Sequence, residues 1–519
     1  MHPGRLKGVR VAVSVVCAIL TGALFLDVGG WFSPFLSRTL LSLQFVPSLL
    51  TMLAGVSAAA LGLAVVLVLT ALFGRVYCSS ICPLGTLQDV VTWISRKRTG
   101  KKRFPYLRPA NLLRYGFLLA SFLSILLGVA IVLTVLDPYS SFGRIMTSLG
   151  RPAAIGANNL VSILLESAGV YSLPSVPMRN YSFPSLVFSV LFLAFVTALA
   201  YRRGRLFCNT VCPVGTLLGL FARVAFFRIG IDGEKCRSCG ICEESCKAGC
   251  IDAEAKAVDF SRCVSCYNCF RTCTRHSVIF TTPFSRRAGS VRRGVDITKR
   301  KMMINAAGLV TGLFGLPDSF AIAGQKAGAI PEPRRHPVTP PGSVSLERFT
   351  AQCTACHVCI TVCPTQVLQP SFLHYGILGI LQPTMDYRTH YCTYECRVCM
   401  EVCPTGALLD LGVEQKKRTQ IGVARFIKDN CVVFAQNTDC AACSEHCPTK
   451  AVIMVQSDQR RAPEVREEYC VGCGACEHAC PTTPSKAIYV EGIPEHKSAR
   501  EPESGKTQEN LVPLDEFPF

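Results

Sequence analysis

The chain has 519 residues, of which 50% are hydrophobic and only 17% are charged. Because an average soluble domain carries about 25% charged residues, this composition excludes an ordinary soluble protein, and the length excludes a single small binding module. Residues 1–303 carry 35 basic and 12 acidic side chains, whereas residues 324–519 carry 19 and 22. The net charge of +19 therefore belongs to the first part alone, and we expect no nucleic-acid partner.

Four long apolar stretches occupy the first part of the chain, at residues 11–28, 47–73, 112–136 and 184–200. A helix rises 1.5 Å per residue, so about 20 apolar residues cross a bilayer core of roughly 30 Å. We therefore predict an α-helical membrane bundle of four spans over residues 1–201. Buried core helices are the alternative, but the intervening segments contain no polar-faced helices that could enclose such a core.

The basic residues between these stretches predict their orientation. The loop after the second stretch holds eight basic residues against one acid, Asp89, whereas residues 137–182 hold only three basic residues. Because Lys and Arg are enriched in cytoplasmic loops, we expect both ends of the bundle to face the cytoplasm in a multi-pass protein of the bacterial inner (cytoplasmic) membrane.

One cysteine pattern occurs twice, 130 residues apart. Cys78-Ser-Ser-Ile-Cys82-Pro follows the second stretch, and Cys208-Asn-Thr-Val-Cys212-Pro follows the fourth. Both copies would lie at the same membrane face, so their four thiols could meet. In a helix, C-x3-C places two sulfurs on neighbouring turns, where they could bind a metal together or act as a redox pair. A Pro-Gly turn with incidental thiols is the structural alternative.

Residues 202–290 predict a cytoplasmic ferredoxin domain with two clusters. Two C-x2-C-x2-C-x3-C runs follow each other, and in bacterial two-cluster ferredoxins the fourth cysteine of each run binds the cluster of the other run. The predicted ligand sets are Cys236, Cys239, Cys242 and Cys273 for one 4Fe-4S cluster, and Cys263, Cys266, Cys269 and Cys246 for the other. Structural zinc is the alternative, which two complete adjacent runs do not favour.

A shorter apolar run, Met302 to Leu316, lies within residues 291–342. It follows Lys299-Arg300 and precedes Ala321-Ile322-Ala323, which resembles a twin-arginine (Tat) export signal in an internal position. A fifth span or a surface helix are the alternatives, since 15 apolar residues are few for a span. Residues 330–342 are proline-rich, which predicts an extended, solvated linker.

Residues 343–493 predict an exported four-cluster ferredoxin domain, and the polar residues 494–519 predict a disordered tail. Four cysteine motifs give sixteen predicted ligands of 4Fe-4S clusters: Cys353, Cys356, Cys359, Cys363, Cys392, Cys396, Cys399, Cys403, Cys431, Cys440, Cys443, Cys447, Cys470, Cys473, Cys476 and Cys480. With the two earlier clusters the expectation is six 4Fe-4S clusters, or about 24 iron atoms. Cys17 and Cys250 remain as spare thiols.

Other cofactors fit these cysteines less well than clusters do. Cys353-Thr-Ala-Cys356-His357 also matches the C-x-x-C-H haem attachment motif, but Cys359 and Cys363 at ferredoxin spacing favour a cluster. Disulfides in an oxidising compartment do not fit four repeats that end in Cys-Pro. No histidine lies between His2 and His276, so the spans cannot hold a bis-histidine haem.

These motifs resemble two known families. Residues 1–285 are similar to the NapH and MauN type of membrane quinol dehydrogenase subunit, and residues 296–492 are similar to the NapG and MauM type of periplasmic four-cluster ferredoxin. The resemblance implies a fusion of the two. It implies α+β ferredoxin-like domains, and transfer of electrons from the quinol pool to a periplasmic oxidoreductase or cytochrome.

The resemblance also implies how the four later motifs share ligands. In related ferredoxins the first motif exchanges its last cysteine with the fourth motif, and the second with the third. In this chain, Cys480 would complete the ligands of the first motif, which begins at Cys353, and Cys363 would complete those of the fourth, which begins at Cys470. Cys447 would complete the ligands of the second motif, which begins at Cys392, and Cys403 would complete those of the third, which begins at Cys431.

Our first hypothesis is a membrane-bound quinol dehydrogenase and electron conduit. Quinol oxidation needs a proton acceptor, and Asp137, beside Tyr139 at the outer end of the third stretch, is the candidate acid. A helix-end residue in the headgroup region is the structural alternative. An accessory protein that donates electrons for metal-centre assembly or regulation of a respiratory enzyme is the second hypothesis. A third is that the cytoplasmic clusters receive electrons from a soluble donor, since the sequence does not set the direction of flow.

Overall fold

A computed structural model describes residues 3–27, 32, 34–55, 59–99, 106–178, 182–282, 334–457, 460–483 and 485–501. The predicted export signal between Lys299 and Ala323 lies outside these residues. We distinguish three parts of the chain: the helical domain (residues 3–222), the first cluster domain (residues 228–281) and the second cluster domain (residues 334–501).

The helical domain contains thirteen described α-helices and one π-helical turn. Their bounds are α1 Pro3–Leu26, α2 Pro34–Ser42, α3 Phe45–Leu53, α4 Ala59–Phe73, α5 Val76–Ser80, α6 Pro83–Thr99, α7 Asn111–Leu126, α8 Ile131–Leu136, α9 Pro138–Ile145, the π-helical turn Met146–Gly150, α10 Arg151–Ser167, α11 Phe183–Arg203, α12 Leu206–Thr210 and α13 Pro213–Ala222.

Two described helices, over Arg5–Leu26 and Phe183–Arg203, are long and apolar enough to cross a membrane. They become three spans if Phe35–Ser42 and Phe45–Leu53, which meet at 99°, count as one. Large apolar side chains on these helices are exposed, including Ile19 at 63% and Leu191 at 65%. A surface of this kind suits contact with lipid rather than with water.

The predicted spans at 47–73 and 112–136 are each divided into two helices. Helix α3 ends before Gly55 and helix α7 ends before Gly128, and these glycines have φ values of +87° and +67°. Glycine adopts this left-handed conformation without steric cost and commonly ends a helix. The described residues therefore give two or three candidate spans, and the four-span bundle stays a prediction.

The first cluster domain consists of short elements around its cysteines. These are β1 Arg228–Ile231, α14 Ile241–Glu244, β2 Ile251–Asp252, β3 Ala257–Val258, α15 Asn268–Thr272 and β4 Val278–Thr281. Strand β1 pairs antiparallel with β4, and β2 with β3. The domain is joined to the end of α4, where Ser265 Oγ donates to Phe73 O at 2.8 Å. Phe226 N, just before β1, also donates to Ala71 O at 2.8 Å.

The second cluster domain has the same mixed α+β character. Its elements are α16 Leu346–Gln352, α17 Val358–Thr361, β5 Leu368–Pro370, β6 Pro383–Met385, α18 Val398–Glu401, α19 Val413–Arg418, β7 Thr419–Phe426, the 3-10 turn Lys428–Asn430, α20 Val432–Ala435, α21 Ala442–Glu445, β8 Val452–Ser457, β9 Arg460–Val465, the 3-10 turn Glu467–Tyr469, α22 Ala475–Ala479 and β10 Ile488–Ser498. The antiparallel pairs are β5 with β6, β7 with β10, and β8 with β9.

The structure packs residues on both sides of the predicted bounds, 343 and 493, against this domain. Val338, in the predicted solvated linker, is buried, and its carbonyl accepts a hydrogen bond from Met385 N at 3.1 Å. At the other end β10 continues to Ser498, which pairs with Thr419 of β7. Polar composition predicted solvent exposure, but backbone pairing with β6 and β7 holds both segments in the fold.

The two cluster domains contact opposite ends of helix α1. Lys7, near its start, lies close to Arg271 and Cys266 of the first cluster domain. Phe25, near its end, packs against Gly143, which also lies against the Cys356 carbonyl of the second cluster domain. The 24 residues of α1 extend for about 36 Å, slightly more than the thickness of a bilayer core.

Candidate functional site

The four thiols of the repeated C-x3-C-P pattern lie together inside the helical domain, and we call this group the repeat site. Cys78 and Cys208 are 4% exposed, and Cys82 and Cys212 are 3% exposed. Each sulfur interacts electrostatically with others of the group.

Each copy of the motif is divided between two helices. Its two sulfurs therefore do not lie on neighbouring turns of one helix, as they would if the motif were a continuous helix. Helix α5 ends at Ser80 and α12 ends at Thr210, so the second cysteine of each copy lies outside the helix that holds the first. Proline at position 83 or 213 cannot continue the preceding helix but is well suited to begin the next one. Cys212 caps α13, because its sulfur accepts a hydrogen bond from Gly215 N at 3.4 Å.

Two buried arginines cross between the two copies. Arg75 Nη2 donates to Cys208 O at 2.9 Å, and Arg205 Nη1 donates to Cys78 O at 2.7 Å. Both side chains are fully buried. Each copy thus binds the backbone of the other, in an approximately two-fold arrangement.

The glycines of the repeat leave room for these arginines. A Cβ atom at Gly85 would overlap Cys78 O and lie 2.6 Å from Arg205 Nη1, and a Cβ at Gly215 would similarly overlap Cys208 O and approach Arg75 Nη2. Any larger residue would push the guanidinium away from the carbonyl that it binds.

Asp89 balances the positive charge beside the repeat site. Its carboxylate is bound by Arg205 at 2.9 Å, Arg10 at 2.8 Å and Lys247 at 3.3 Å. Burial alone would raise the pKa of Asp89, but Arg205 and Lys247 hold it well below its usual value. The residue that appeared in the sequence as a lone acid in a basic loop is a counterion whose side chain is 11% exposed.

The first cluster domain brings its eight motif cysteines into two groups. In site 1, Cys242 lies near Cys236, Cys239 and Cys273. In site 2, an apolar cavity is lined by Cys246, Cys263, Cys266 and Cys269. These groupings match the exchange of fourth cysteines that the spacing predicts.

The second cluster domain groups its sixteen cysteines differently from the expectation. Sites 4 and 6 are cavities, lined by Cys363 with Cys392, Cys396 and Cys399, and by Cys480 with Cys431, Cys440 and Cys443. In site 3, Cys403 lies near Cys353, Cys356 and Cys359. In site 5, Cys447 lies near Cys470, Cys473 and Cys476.

The pairing of first with fourth and second with third motifs is therefore wrong for this chain. The first motif exchanges its last cysteine with the second, and the third with the fourth. Motifs that are neighbours in sequence fold as local units, because a short connection costs less conformational entropy to close than a long one.

The cysteine groups fit iron–sulfur clusters better than the alternatives. Sites 2, 4 and 6 each surround an apolar cavity, which leaves room for a cluster core between the thiols. Four thiolates around one zinc ion would lie only roughly 3.8 Å apart, given Zn–S bonds of about 2.3 Å, whereas a cubane separates its ligands further. All thirty cysteines are free, so the geometry shows no disulfide framework among them.

The haem alternative does not fit the environment of His357. Its Nε2 lies 2.8 Å from Leu381 O, and the side chain is 1% exposed. Burial lowers the pKa of His357 to about 3, so the ring is neutral and held against the backbone. An axial ligand would have to leave this contact.

Asp137 is buried at the junction of α8 and α9, close to the second cluster domain. Its carboxylate caps α9 by accepting hydrogen bonds from Ser140 N at 2.8 Å and Ser140 Oγ at 2.6 Å. Ser140 Oγ also lies 2.9 Å from Thr354 Oγ1, one residue from Cys353. The neighbouring Tyr139 is fully buried.

Three functional candidates were missed in the sequence. Arg75 and Arg205 could have been found, because Gly-Arg-x-aromatic-Cys precedes both copies of the repeat. Cys250 is not a spare thiol: its sulfur lies 3.5 Å from that of Cys246, and it lines the same cavity as the site 2 cysteines. Only the fold shows this contact. Cys17 lies on α1 and in none of these groups.

Comparison with known protein families gives two matches. A model described as a 4Fe-4S binding domain matches residues 57–102 and 184–231, which contain the two copies of the repeat. A model described as a 4Fe-4S dicluster domain matches residues 352–407 and 438–483. The dicluster matches follow the same division into neighbouring motif pairs that the structure shows.

Several curated proteins are similar to the chain at low identity. The ferredoxin-type protein NapH of Haemophilus influenzae is 22% identical over 289 residues, which are 54% of this chain and 85% of NapH. The putative electron transport protein YccM of Escherichia coli is 26% identical over 218 residues, and the methylamine utilization ferredoxin-type protein MauN of Paracoccus denitrificans is 28% identical over 174. These matches cover 42% and 33% of this chain, and only about half of each relative, 54% and 48%.

The chain is an iron–sulfur electron-transfer protein related to NapH, MauN and YccM. The relationship to NapH and MauN agrees with the resemblance drawn from the first part of the sequence, while the fusion with a NapG or MauM type of subunit stays a prediction. No solved structure matches the chain.

Proposed function

We propose that this NapH-like protein oxidises quinol in the bacterial inner membrane and passes the electrons through 4Fe-4S clusters to a periplasmic oxidoreductase or cytochrome. The observation that carries the proposal is the contact of the two cluster domains with opposite ends of α1, a helix long enough to cross a bilayer. In this orientation the first cluster domain faces the cytoplasm and the second faces the periplasm.

The order of sites in the second cluster domain supports an outward path. Site 3 lies next to the helical domain, where Arg144 donates to the Thr354 and Ala355 carbonyls, each at 3.4 Å. Cys359 of site 3 lies near Cys399 of site 4, and Cys392 N of site 4 donates to Cys473 O of site 5 at 2.9 Å. Site 6 then stands furthest along the series, where we place the contact with the periplasmic partner.

Quinol would bind close to site 3. A crevice there is lined by Ser148, Ser185 and Leu186 from the helical domain and by Ile360 and Leu368 from the second cluster domain. Oxidation of one quinol to quinone releases two electrons, which enter the 4Fe-4S clusters, and two protons. Asp137 would take one proton and pass it to the outer face, and the other would leave directly to water at that face.

The direct test uses the full-length chain in liposomes under anaerobic conditions. A menaquinol analogue is added, and bleaching of the broad visible absorbance of the oxidised clusters is followed with time. Reduction within the turnover time of a respiratory enzyme supports the proposal. If dithionite reduces the clusters but the quinol analogue does not, the proposal is overturned and the accessory electron donor is favoured.

Asp137→Asn tests the proton acceptor. Asparagine retains the side-chain oxygen that caps α9, so the fold should remain, but it cannot accept the proton. We expect quinol-dependent reduction to slow by about 100-fold, the lower range for loss of a general base, with dithionite reduction unchanged. Glu166→Gln, an exposed acid on α10, is the matched control. Equal rates in both variants would remove Asp137 from the site.

Protease shaving of intact spheroplasts tests the orientation. We expect added protease to cleave the second cluster domain and to spare the first, with the reverse in inside-out vesicles. Protection of the second cluster domain in spheroplasts would contradict its periplasmic location.

A further inference from the structure

We propose that Cys78, Cys82, Cys208 and Cys212 together bind one further iron–sulfur cluster, in addition to the six predicted from the ferredoxin motifs. The inference goes beyond the proposed function, because it supplies a step between the two cluster domains that electrons entering at site 3 do not use. It does not require quinol to be the electron donor.

Neither copy of the repeat can form such a centre alone. The regions that match the 4Fe-4S binding domain, 57–102 and 184–231, contain only two cysteines each, whereas a cluster needs four protein ligands. The fold joins the two half-sites, because Arg75 and Arg205 each bind a carbonyl of the opposite copy. All four thiols are then buried in one place, from two equivalent segments.

The charges around the thiols fit an anionic cluster. Four thiolates around an iron–sulfur core of charge +2 carry a net charge of −2, and two fully buried guanidinium groups face them. Arg75 Nη2 lies 3.9 Å from Cys78 Sγ, and Arg205 Nη1 lies 4.0 Å from Cys208 Sγ. Arg205 is already paired with Asp89, whereas Arg75 binds Asn209 Oδ1 and the carbonyls of Ser261 and Cys208. An anionic cluster beside Arg75 would supply the opposite charge that a buried guanidinium needs.

Other donors also point at the sulfurs. Gln88 Nε2 lies 3.3 Å from Cys208 Sγ, and Gly215 N donates to Cys212 Sγ at 3.4 Å. Hydrogen bonds to ligand sulfurs are a usual feature of iron–sulfur sites and tune their potentials.

The position along α1 gives the site a role. Ser14 Oγ lies 2.8 Å from Thr86 Oγ1, one turn beyond Cys82, and so marks the level of the repeat site on this helix. From Lys7, at the first cluster domain, to Ser14 the helix rises about 10 Å, and from Ser14 to Phe25, at the second cluster domain, about 16 Å. Electron tunnelling slows steeply with distance, so a centre at this level divides one long gap into two shorter ones.

Buried contacts continue on both sides of the repeat site. Towards site 2, Arg205 N donates to Lys247 O at 2.9 Å and Asn209 Nδ2 donates to Ala248 O at 3.0 Å, directly after Cys246. Towards site 3, the buried Tyr77 lies near Cys82, and Tyr139 lies near both Tyr77 and Cys356. One electron would enter from the cluster on one side and leave to the cluster on the other, with no bond made or broken.

Iron analysis of the full-length chain, purified without oxygen, tests the assignment. We expect about 28 iron atoms per chain, for seven cubanes, where six would give about 24. The double variant Cys78→Ser with Cys208→Ser should lose four irons and one spin from the integrated paramagnetic resonance spectrum of the reduced protein. Cys17→Ser, on the same helical domain, is the matched control and should lose nothing.

The outcomes separate the candidates. A loss of four irons indicates a cubane, and a loss of two indicates a two-iron cluster; both support the proposal. An unchanged iron content, or loss of zinc in its place, overturns it. If the double variant fails to fold, the Arg75→Lys variant is used instead. It should keep its full iron content but shift the paramagnetic resonance signal of one of the seven clusters. An unshifted spectrum would count against the site. Neither readout uses quinol, so this result is independent of the proposed donor.

Discussion

Threonine follows the fourth cysteine by two residues in all four motifs of the second cluster domain. The hydroxyls of Thr365, Thr405, Thr449 and Thr482 lie 3.6, 3.8, 3.7 and 3.1 Å from the sulfurs of Cys363, Cys403, Cys447 and Cys480. A hydroxyl that donates to a ligand sulfur stabilises the more negative, reduced cluster and so raises the reduction potential. In the first cluster domain Ser277 takes this place beside Cys273, with its Oγ 3.1 Å from Cys273 Sγ.

Thr482→Val should lower the reduction potential of site 6. If the hydrogen bond differs in strength by about 1 kcal/mol between the two oxidation states, the shift is on the order of 40 mV for one electron. A redox titration followed by paramagnetic resonance measures it. The control is Thr350→Val, whose hydroxyl binds only the backbone carbonyls of Leu346 and Glu347. Equal potentials in parent and Thr482→Val would show that the hydroxyl does not bind the ligand sulfur.

In the helical domain, the positions at which the short helices end determine the geometry of the repeat site. Proline at 83 and 213 begins a new helix directly after the second cysteine of each repeat, so the two sulfurs of one copy come from two helices. Glycine at 85 and 215 then lets the first turn of each new helix approach the opposite copy. The short sequence Cys-Pro-x-Gly therefore builds a half-site rather than a simple turn.

Gly85→Ala should damage this packing. The added methyl group would overlap Cys78 O and displace Arg205, which we expect to destabilise the helical domain by about 1–3 kcal/mol. Thermal unfolding in detergent, followed by circular dichroism, measures the effect. Gly116→Ala on α7, where a Cβ would meet nothing within 4 Å, is the control and should be neutral or slightly stabilising. Similar melting temperatures for the two variants would contradict the close approach.

For the whole molecule, Asp89 connects three distant parts of the chain. It binds Arg10 from the first helix, Arg205 from the second copy of the repeat, and Lys247 from the first cluster domain. These residues are far apart in sequence, and a single carboxylate holds them at one point. The docking of the first cluster domain on the helices depends on this buried network.

Asp89→Asn should destabilise the folded protein by about 3–5 kcal/mol, because it leaves buried cations without their counterion. Chemical denaturation at neutral pH measures the loss. Asp232→Asn is the control, since its partner Lys235 is 64% exposed at 3.7 Å, and such exposed pairs contribute about 1 kcal/mol or less.

The comparison of the parent with Asp89→Asn also gives a pH prediction. The pKa of Asp89 is lowered in the fold, so its stabilisation is present above the unfolded value of about 4 and is lost as the pH falls towards the lowered pKa. The stability difference between the two proteins should therefore be constant near neutral pH and shrink below about pH 4. A difference that instead grew on acidification would show that Asp89 is not held as a carboxylate.

The sequence by itself determined the local chemistry. Cysteine spacing is a local property, since three ligands of a cluster lie within a few residues of each other, and it predicted the ferredoxin motifs that the family comparisons also recognise. Apolar stretches likewise predicted the helices Arg5–Leu26 and Phe183–Arg203, because bilayer thickness sets a minimum length.

Only the tertiary structure decided which distant residues share a site. In the second cluster domain the fourth cysteine of each group, such as Cys403 beside Cys353, comes from another motif, and with four motifs the spacing does not say which one. The same holds for the meeting of Cys78 with Cys208 between Arg75 and Arg205, and for the pairing of Ser498 with Thr419. These contacts are set by packing and by buried charge over long separations, which no local pattern specifies.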